Sequence, residues 1–187
     1  GMPSKVRGFC HEGKWHDIEV EDDVTAYFEY PNGATGVFIT STGDAPGTNR
    51  LEITGELGKL VCEDGKIVFY KLKENLKKHC AECKAGFDKP EWEVQEVETD
   101  GLNEEHVGIM KAFADCILEN RPLVADGKEG IRGLSISNAI HLSSWLNRTV
   151  ELPIDEELFL EELNKRRALS KKKDEIESVV FDTEGTY

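Results

Sequence analysis

Between residues 5 and 97 apolar and polar positions alternate in short runs broken by turn residues; beyond residue 103 apolar positions recur at the three-and-four spacing of helices. In residues 24–30, Ala26, Phe28 and Tyr30 fall on one face of a strand and Thr25, Tyr27 and Glu29 on the other. Pro31-Asn32-Gly33 then turns the chain, since Asn-Gly tolerates the positive φ angles of a tight hairpin, and residues 34–42 return beside the first run. The same reasoning predicts strands over residues 5–11, 50–54, 59–63, 66–72 and 92–97, with Asp64-Gly65 as a second hairpin turn. Residues 73–90 are charged and carry no clean period, which marks an excursion that is helical in part.

Asn103 suits the cap of a helix with Glu104 and Glu105 in its first turn; Val107, Met110, Phe113, Ala114, Ile117 and Leu118 form an apolar face expected to pack on the sheet. Over residues 129–146, Ile131, Leu134, Ile136, Ala139, Ile140, Leu142, Trp145 and Leu146 occupy more than one face, which predicts a deeply buried helix. An edge strand follows at residues 149–152. Asp155 caps a last helix through Leu158, Phe159 and Leu163 that runs out into Lys171-Lys172-Lys173. The pattern predicts an α+β fold: a large, mostly antiparallel, open-faced sheet with helices on one face, in one domain over residues 1–170 and a tail over 171–187.

With 187 residues, 39% of them apolar, the chain can bury a core without staples. Asp and Glu outnumber Lys and Arg by 37 to 23, a formal charge of −14 that repels phosphate backbones, so nucleic acid is not an expected partner. No run approaches the roughly 20 apolar residues of a membrane helix, and residues 1–9 lack the apolar centre of a secretion signal, which predicts a cytoplasmic protein with no membrane partner. The odd set Cys10, Cys62, Cys80, Cys83 and Cys116 suits free thiols in a reducing compartment.

Several groups carry candidate chemistry. Lys14, His16 and Asp17, in the link between the first two strands, can reach a sugar from the sheet edge, although a solvated loop accounts for them equally well. Thr40, Thr42, Asn49 and Arg50 flank a glycine-rich loop, and the rigid donor fork of Arg50 suits vicinal hydroxyls or a carboxylate; a hairpin end held by ordinary hydrogen bonds is the competing account. His106 and His141 read as structural. His79-Cys80-Ala81-Glu82-Cys83 has the spacing of a thiolate pair, but no second pair accompanies it, so ordinary loop cysteines and no metal are expected. Gly127, Gly130 and Gly133 fit neither phosphate-loop spacing and mark a helix start.

Specific stretches carry a resemblance. Val20-Glu21-Asp22-Asp23-Val24-Thr25-Ala26 with Tyr30-Pro31-Asn32-Gly33-Ala34-Thr35-Gly36 is similar to the opening of the C-terminal domain in Gfo/Idh/MocA oxidoreductases, the glucose-fructose oxidoreductase and inositol dehydrogenase family. Arg50-Leu51-Glu52-Ile53-Thr54-Gly55, Gly58-Lys59-Leu60, residues 106–117, Pro122-Leu123-Val124, Gly127, Gly130, Ser137-Asn138-Ala139 and Val150-Glu151-Leu152-Pro153 continue the likeness in order, over residues 3–170. Asp88-Lys89-Pro90 echoes that family's Glu-Lys-Pro triplet but stands too late in the chain to correspond to it.

The resemblance implies a parent enzyme that moves a hydride between NAD or NADP and a hydroxyl carbon of a sugar, cyclitol or related polyol. It also implies that the Rossmann domain, the lysine of Glu-Lys-Pro and an Asp-x-x-x-His pair precede Gly1. No G-x-G-x-x-G occurs here, so the chain alone is expected to hold no cofactor, to contain no catalytic or cofactor-binding residue and to be inert in hydride transfer. In this family the open sheet face, here with Tyr27, Val37 and Ile39, commonly meets a second subunit, which implies a homodimer or homotetramer. The competing account is a stand-alone oligomerisation or ligand-binding module without catalysis.

Overall fold

In the computed structural model, which describes residues 1–101 and 104–171, every strand pairing is antiparallel. The strands are β1 (Lys5–Glu12), β2 (Glu21–Glu29), β3 (Thr35–Ser41), β4 (Arg50–Gly55), β5 (Gly58–Glu63), β6 (Lys66–Leu72), β7 (Trp92–Glu96) and β8 (Val150–Glu151). The helices are α1 (Leu76–Glu82), α2 (Glu105–Glu119), α3 (Gly130–Leu146) and α4 (Glu156–Leu169), with a 3-10 turn over Gly127–Glu129. The α+β class is as expected. Instead of one large sheet, the described strands form two of four, in the orders β3-β2-β1-β8 and β4-β5-β6-β7. Beyond β3 the chain leaves its ladder, and the residues before β4, with Pro46 and Gly47, run through turns.

The chain divides into two compact units, Gly1–Gly43 with Asp126–Tyr187, and Asp44–Ala125. In the first, Val24, Ala26 and Phe28 of β2 point inward as their spacing requires, and with Val6 and Val150 they meet Ala139, Ile140 and Leu142 of α3. The hairpin between β2 and β3 closes with Tyr30 N–H donating to the Ala34 carbonyl at 2.9 Å while Gly33 sits at φ +84°. β8 pairs β1 only at Lys5 and Val6, so the next outward N–H groups of β1 need other partners. Gly8 N–H donates to Ser143 Oγ and Cys10 N–H to Ser144 Oγ, both at 2.9 Å. The approach that makes this possible requires glycine at position 8, where a Cβ would stand 2.5 Å from the Ile140 carbonyl oxygen.

α3 was expected to be deeply buried; of its residues only Ala139, Ile140, Leu142 and Ser143 are, because the helix rests on β1 with its carboxyl-terminal half. Its other half borders an open cleft. α4 starts where Asp155 Oδ1 accepts from Leu158 N–H at 3.0 Å, and Phe159 stacks on Trp145 at 5.4 Å between centroids. The expected basic end falls after Leu169; beyond Lys171 the predicted tail lies outside the described residues.

In the second unit, Asp64 (φ +51°) and Gly65 (φ +70°) form the two-residue turn between β5 and β6. The excursion after β6 contains α1, capped by Asn75, whose Oδ1 accepts from the N–H groups of Lys77 and Lys78. α2 forms as its period predicts, but the expected packing on the sheet is not found: none of its residues is buried, and Met110 is 73% exposed. Amphipathic spacing specifies which face seeks a cover, not that a cover is supplied. Asn103, the predicted cap, lies outside the described residues.

Candidate functional site

Because α3 covers β1 and not β3, the inner face of β3 stays open beside the buried face of β2, and a cleft of about 520 Å³ remains within the first unit. Val24, Phe28, Phe38 and Ile140 give it an apolar floor, and Phe38, opposite the buried Ala26, is left 47% exposed. Polar groups line the same cleft: Glu21 and Asp22 at the start of β2, Thr40, Ser41 and Thr42 at the end of β3, Ser137 and His141 on α3. His141 Nε2 lies 3.0 Å from Glu21 Oε1, and its ring meets Trp145 edge-on at 5.5 Å.

Asp22 organises one end of this cleft. Its side chain is fully buried, and its carboxylate accepts N–H bonds from Lys14 (2.9 Å), Trp15 (2.7 Å) and His16 (2.9 Å), with His16 Nδ1 at 3.4 Å. Burial by itself raises the pKa of such a carboxyl, but the three backbone donors and the imidazole outweigh it and hold Asp22 down at about 2. The carboxylate therefore stays ionised at neutral pH and ties the loop of residues 13–20 to the sheet. Thr42 completes the cluster: its N–H donates to the Asp22 carbonyl at 2.9 Å and its Oγ1 lies 3.1 Å from His16 Nδ1. Lys14 Nζ reaches Asp23 at 2.7 Å, which lowers the Asp23 pKa, and stands over the Trp15 ring. That indole fits only because residue 43 is glycine; a Cβ there would be 2.3 Å from it.

Of the residues singled out from the sequence, Lys14, His16 and Thr42 are thus brought together around Asp22. Asp17 is exposed in the same loop. Asn49 and Arg50 belong to the second unit, where the Arg50 guanidinium is held by Glu52 and Glu63, partners that raise its pKa. Glu21, Asp22 and His141 were not among the predicted site residues. Asp22 carried one readable signal, an acidic residue at an inward-facing strand position. The Glu21–His141 pair, separated by 120 positions, carried none.

The cleft offers the Glu21 carboxylate, the His141 imidazole and the hydroxyls of Thr40, Ser41, Thr42 and Ser137 above an apolar floor, a set suited to a small polyhydroxylated molecule, whose hydroxyls donate to the carboxylate and accept from imidazole while its C–H faces lie on aromatic carbon. All five cysteines are free, and burial pushes the Cys10 thiol up, which keeps it protonated.

Residues 1–61 match a family model described as the GFO/IDH/MocA C-terminal domain. No curated protein sequence matches the chain. Among solved structures, the aldose-aldose oxidoreductase from Caulobacter crescentus, complexed with glycerol, is similar at 17% identity and a TM-score of 0.60, over 81% of this chain and 42% of that one. UDP-N-acetylglucosamine 3-dehydrogenase GnnA from Acidithiobacillus ferrooxidans is similar at 16% identity and a TM-score of 0.56, over 76% of this chain and 40% of that one. The WlbA dehydrogenase from Bordetella pertussis, in complex with NADH and UDP-GlcNAcA, is similar at 18% identity and a TM-score of 0.51, over 83% and 40%. At such identities the likeness is one of fold, and the chain spans less than half the length of each of these proteins. Residues 1–61 thus match the GFO/IDH/MocA C-terminal domain, in line with the resemblance, and the chain that carries them shares its fold with part of these oxidoreductases.

Proposed function

We propose that residues 1–170 are the substrate-binding and assembly domain of a cytoplasmic NAD(P)-dependent oxidoreductase acting on a sugar, cyclitol or related polyol. The observation that carries this reading is the cleft of about 520 Å³ whose lining sets Glu21 against His141 and includes Thr42 and an ionised Asp22, to which the neighbouring Lys14–His16 loop is bonded. Lys14, His16, Asp17 and Thr42 contact the substrate from the loop side, and Glu21 and His141 from the helix side. The nicotinamide and its binding residues are supplied outside this chain, so the chain alone neither binds NAD or NADP nor transfers hydride; what supports this is a sequence without the glycine loop that admits a pyrophosphate. Fold relatives complexed with glycerol and with NADH and a UDP-sugar support the substrate class.

Assembly uses the outer face of the first sheet, where Phe9, Tyr27, Val37 and Ile39 are exposed on neighbouring strands. The binding test is NMR titration of the chain with myo-inositol, glucose and UDP-N-acetylglucosamine. Shifts confined to the cleft and lost in Glu21→Gln and His141→Ala are expected; no shift with any of them would reject the site. Micromolar binding of NAD or NADP by calorimetry would reject the inert-domain reading. Sedimentation should give a dimer or tetramer that Ile39→Glu dissociates. Reading the gene in frame upstream of Gly1 separates a truncated dehydrogenase, with its glycine loop, from a stand-alone module.

A further inference from the structure

The segment between β6 and β7 holds a cluster unrelated to the cleft. A ring nitrogen of His79, the Cys83 sulfur and a carboxylate oxygen of Asp88 lie within 4.8 Å of one another. The sequence drew attention to Cys80 and Cys83 as a pair; the fold instead groups Cys83 with a histidine four residues before it and an aspartate five residues after it, while Cys80 is exposed. One turn of helix separates His79 from Cys83, which puts both on the same side of α1, and residues 84–88 curl back to bring in Asp88.

The state of His79 is the informative detail. Its Nδ1 is 2.7 Å from Glu74 Oε1, and in the neutral tautomer that donates this hydrogen bond Nε2 presents a lone pair. Among the described residues, that Nε2 is a buried side-chain nitrogen with no hydrogen-bond partner. A buried lone pair without a donor is costly and calls for an explanation, and a carboxylate on the far nitrogen is the arrangement that orients and strengthens a histidine as a metal ligand. Cys83 Sγ stands 3.6 Å from Asp88 Oδ2. That is close to the roughly 3.5 Å edge of a tetrahedron built on a zinc–sulfur bond of about 2.3 Å and a zinc–oxygen bond of about 2.1 Å.

We propose that His79, Cys83 and Asp88 form a binding site for a zinc-type divalent cation, with Glu74 as the positioning carboxylate and a water molecule as the fourth ligand. The donor set of imidazole, thiolate and carboxylate selects zinc over magnesium or calcium. Binding replaces the thiol hydrogen bond of Cys83 to Asp88 with a metal–thiolate bond, and the thiol proton is released to solvent. The bound ion staples the excursion of the second unit between two strands.

The test uses the 187-residue chain, stripped with chelator and titrated with cobalt(II) as a spectroscopic stand-in and with zinc in competition. Expected are one ion per chain, a thiolate-to-cobalt charge-transfer band, its displacement by zinc, and proton release that grows as the pH is lowered toward neutrality from above. Cys83→Ala abolishes the band and Asp88→Asn weakens binding at least tenfold, whereas Cys80→Ala leaves both unchanged. Circular dichroism of each variant separates loss of the site from loss of the fold. Absence of a thiolate band in the folded chain, or its loss in Cys80→Ala with retention in Cys83→Ala, would overturn the proposal.

Discussion

The two units are built from the same kind of antiparallel sheet and differ in what lies on it. In the first, α3 supplies a second layer, and Val6, Ala26, Ala139 and Leu142 are almost wholly removed from water. In the second, Val61 is the one buried hydrophobic residue among those described, Leu51 and Ile53 of β4 are more than half exposed, and α2 keeps its apolar face in solvent. Strand propensity and turn chemistry suffice to form a four-stranded sheet, but burial requires a facing layer, and most of the stability follows the burial.

The sharpest way to break this comparison is a matched pair of truncations. Leu142→Ala, at a 2% exposed site against β1, is expected to cost about 2–5 kcal/mol in urea denaturation, whereas Ile53→Ala on the open sheet should stay within about 0.5 kcal/mol. Equal losses would mean that the second sheet is covered in solution. Next in size is Ser143→Ala, which removes the acceptor of Gly8 N–H and the donor to the Arg148 carbonyl. Leaving a buried N–H unpaired should cost about 1–3 kcal/mol, with hydrogen exchange in β1 accelerated and that in β5 and β6 unchanged.

A pH series sharpens the comparison further. The folded pKa of Asp22, about 2, lies below its ordinary value of 3.8, so its contribution is fully present above that ordinary value and disappears as the pH falls through the folded one. Denaturant stability of the first unit should therefore fall between about pH 4 and pH 2, and Asp22→Asn should flatten that fall while loosening the Lys14–His16 loop. The smallest effect is expected from Arg50→Ala, whose partners Glu52 and Glu63 are exposed ion-pair partners on the open sheet; its unfolding midpoint should match that of the parent chain within error.

Much of the fold was legible because it depends on neighbours in the chain. The turn glycines at positions 33 and 65, the strand over residues 66–72, the alternation of β2 and the Asp155 cap each need only a few adjacent residues, and each is found where expected. The loop cluster was legible in part: Lys14, His16 and Thr42 were singled out for their chemistry, yet the Asp22 that assembles them was not. His141 read as a structural residue of a buried helix, and it lies at a cleft rim because α3 rests on β1 and stops short of β3. The two cysteines of the Cys80–Cys83 pair are near in sequence, but the groups the fold gathers with the Cys83 sulfur are a ring nitrogen of His79 and a carboxylate oxygen of Asp88.

Element type and turn position arise from backbone dihedral preferences and from the period of apolar residues, both short-range, and these were readable along the chain. Which face of the first sheet found a cover and which carboxylate His141 met were decided by the packing of segments more than a hundred residues apart, and Asp22 lost its water to a loop that folds back onto it from six to eight residues earlier. Burial and electrostatics at a point in space depend on everything that reaches that point, and adjacency in the sequence does not encode it.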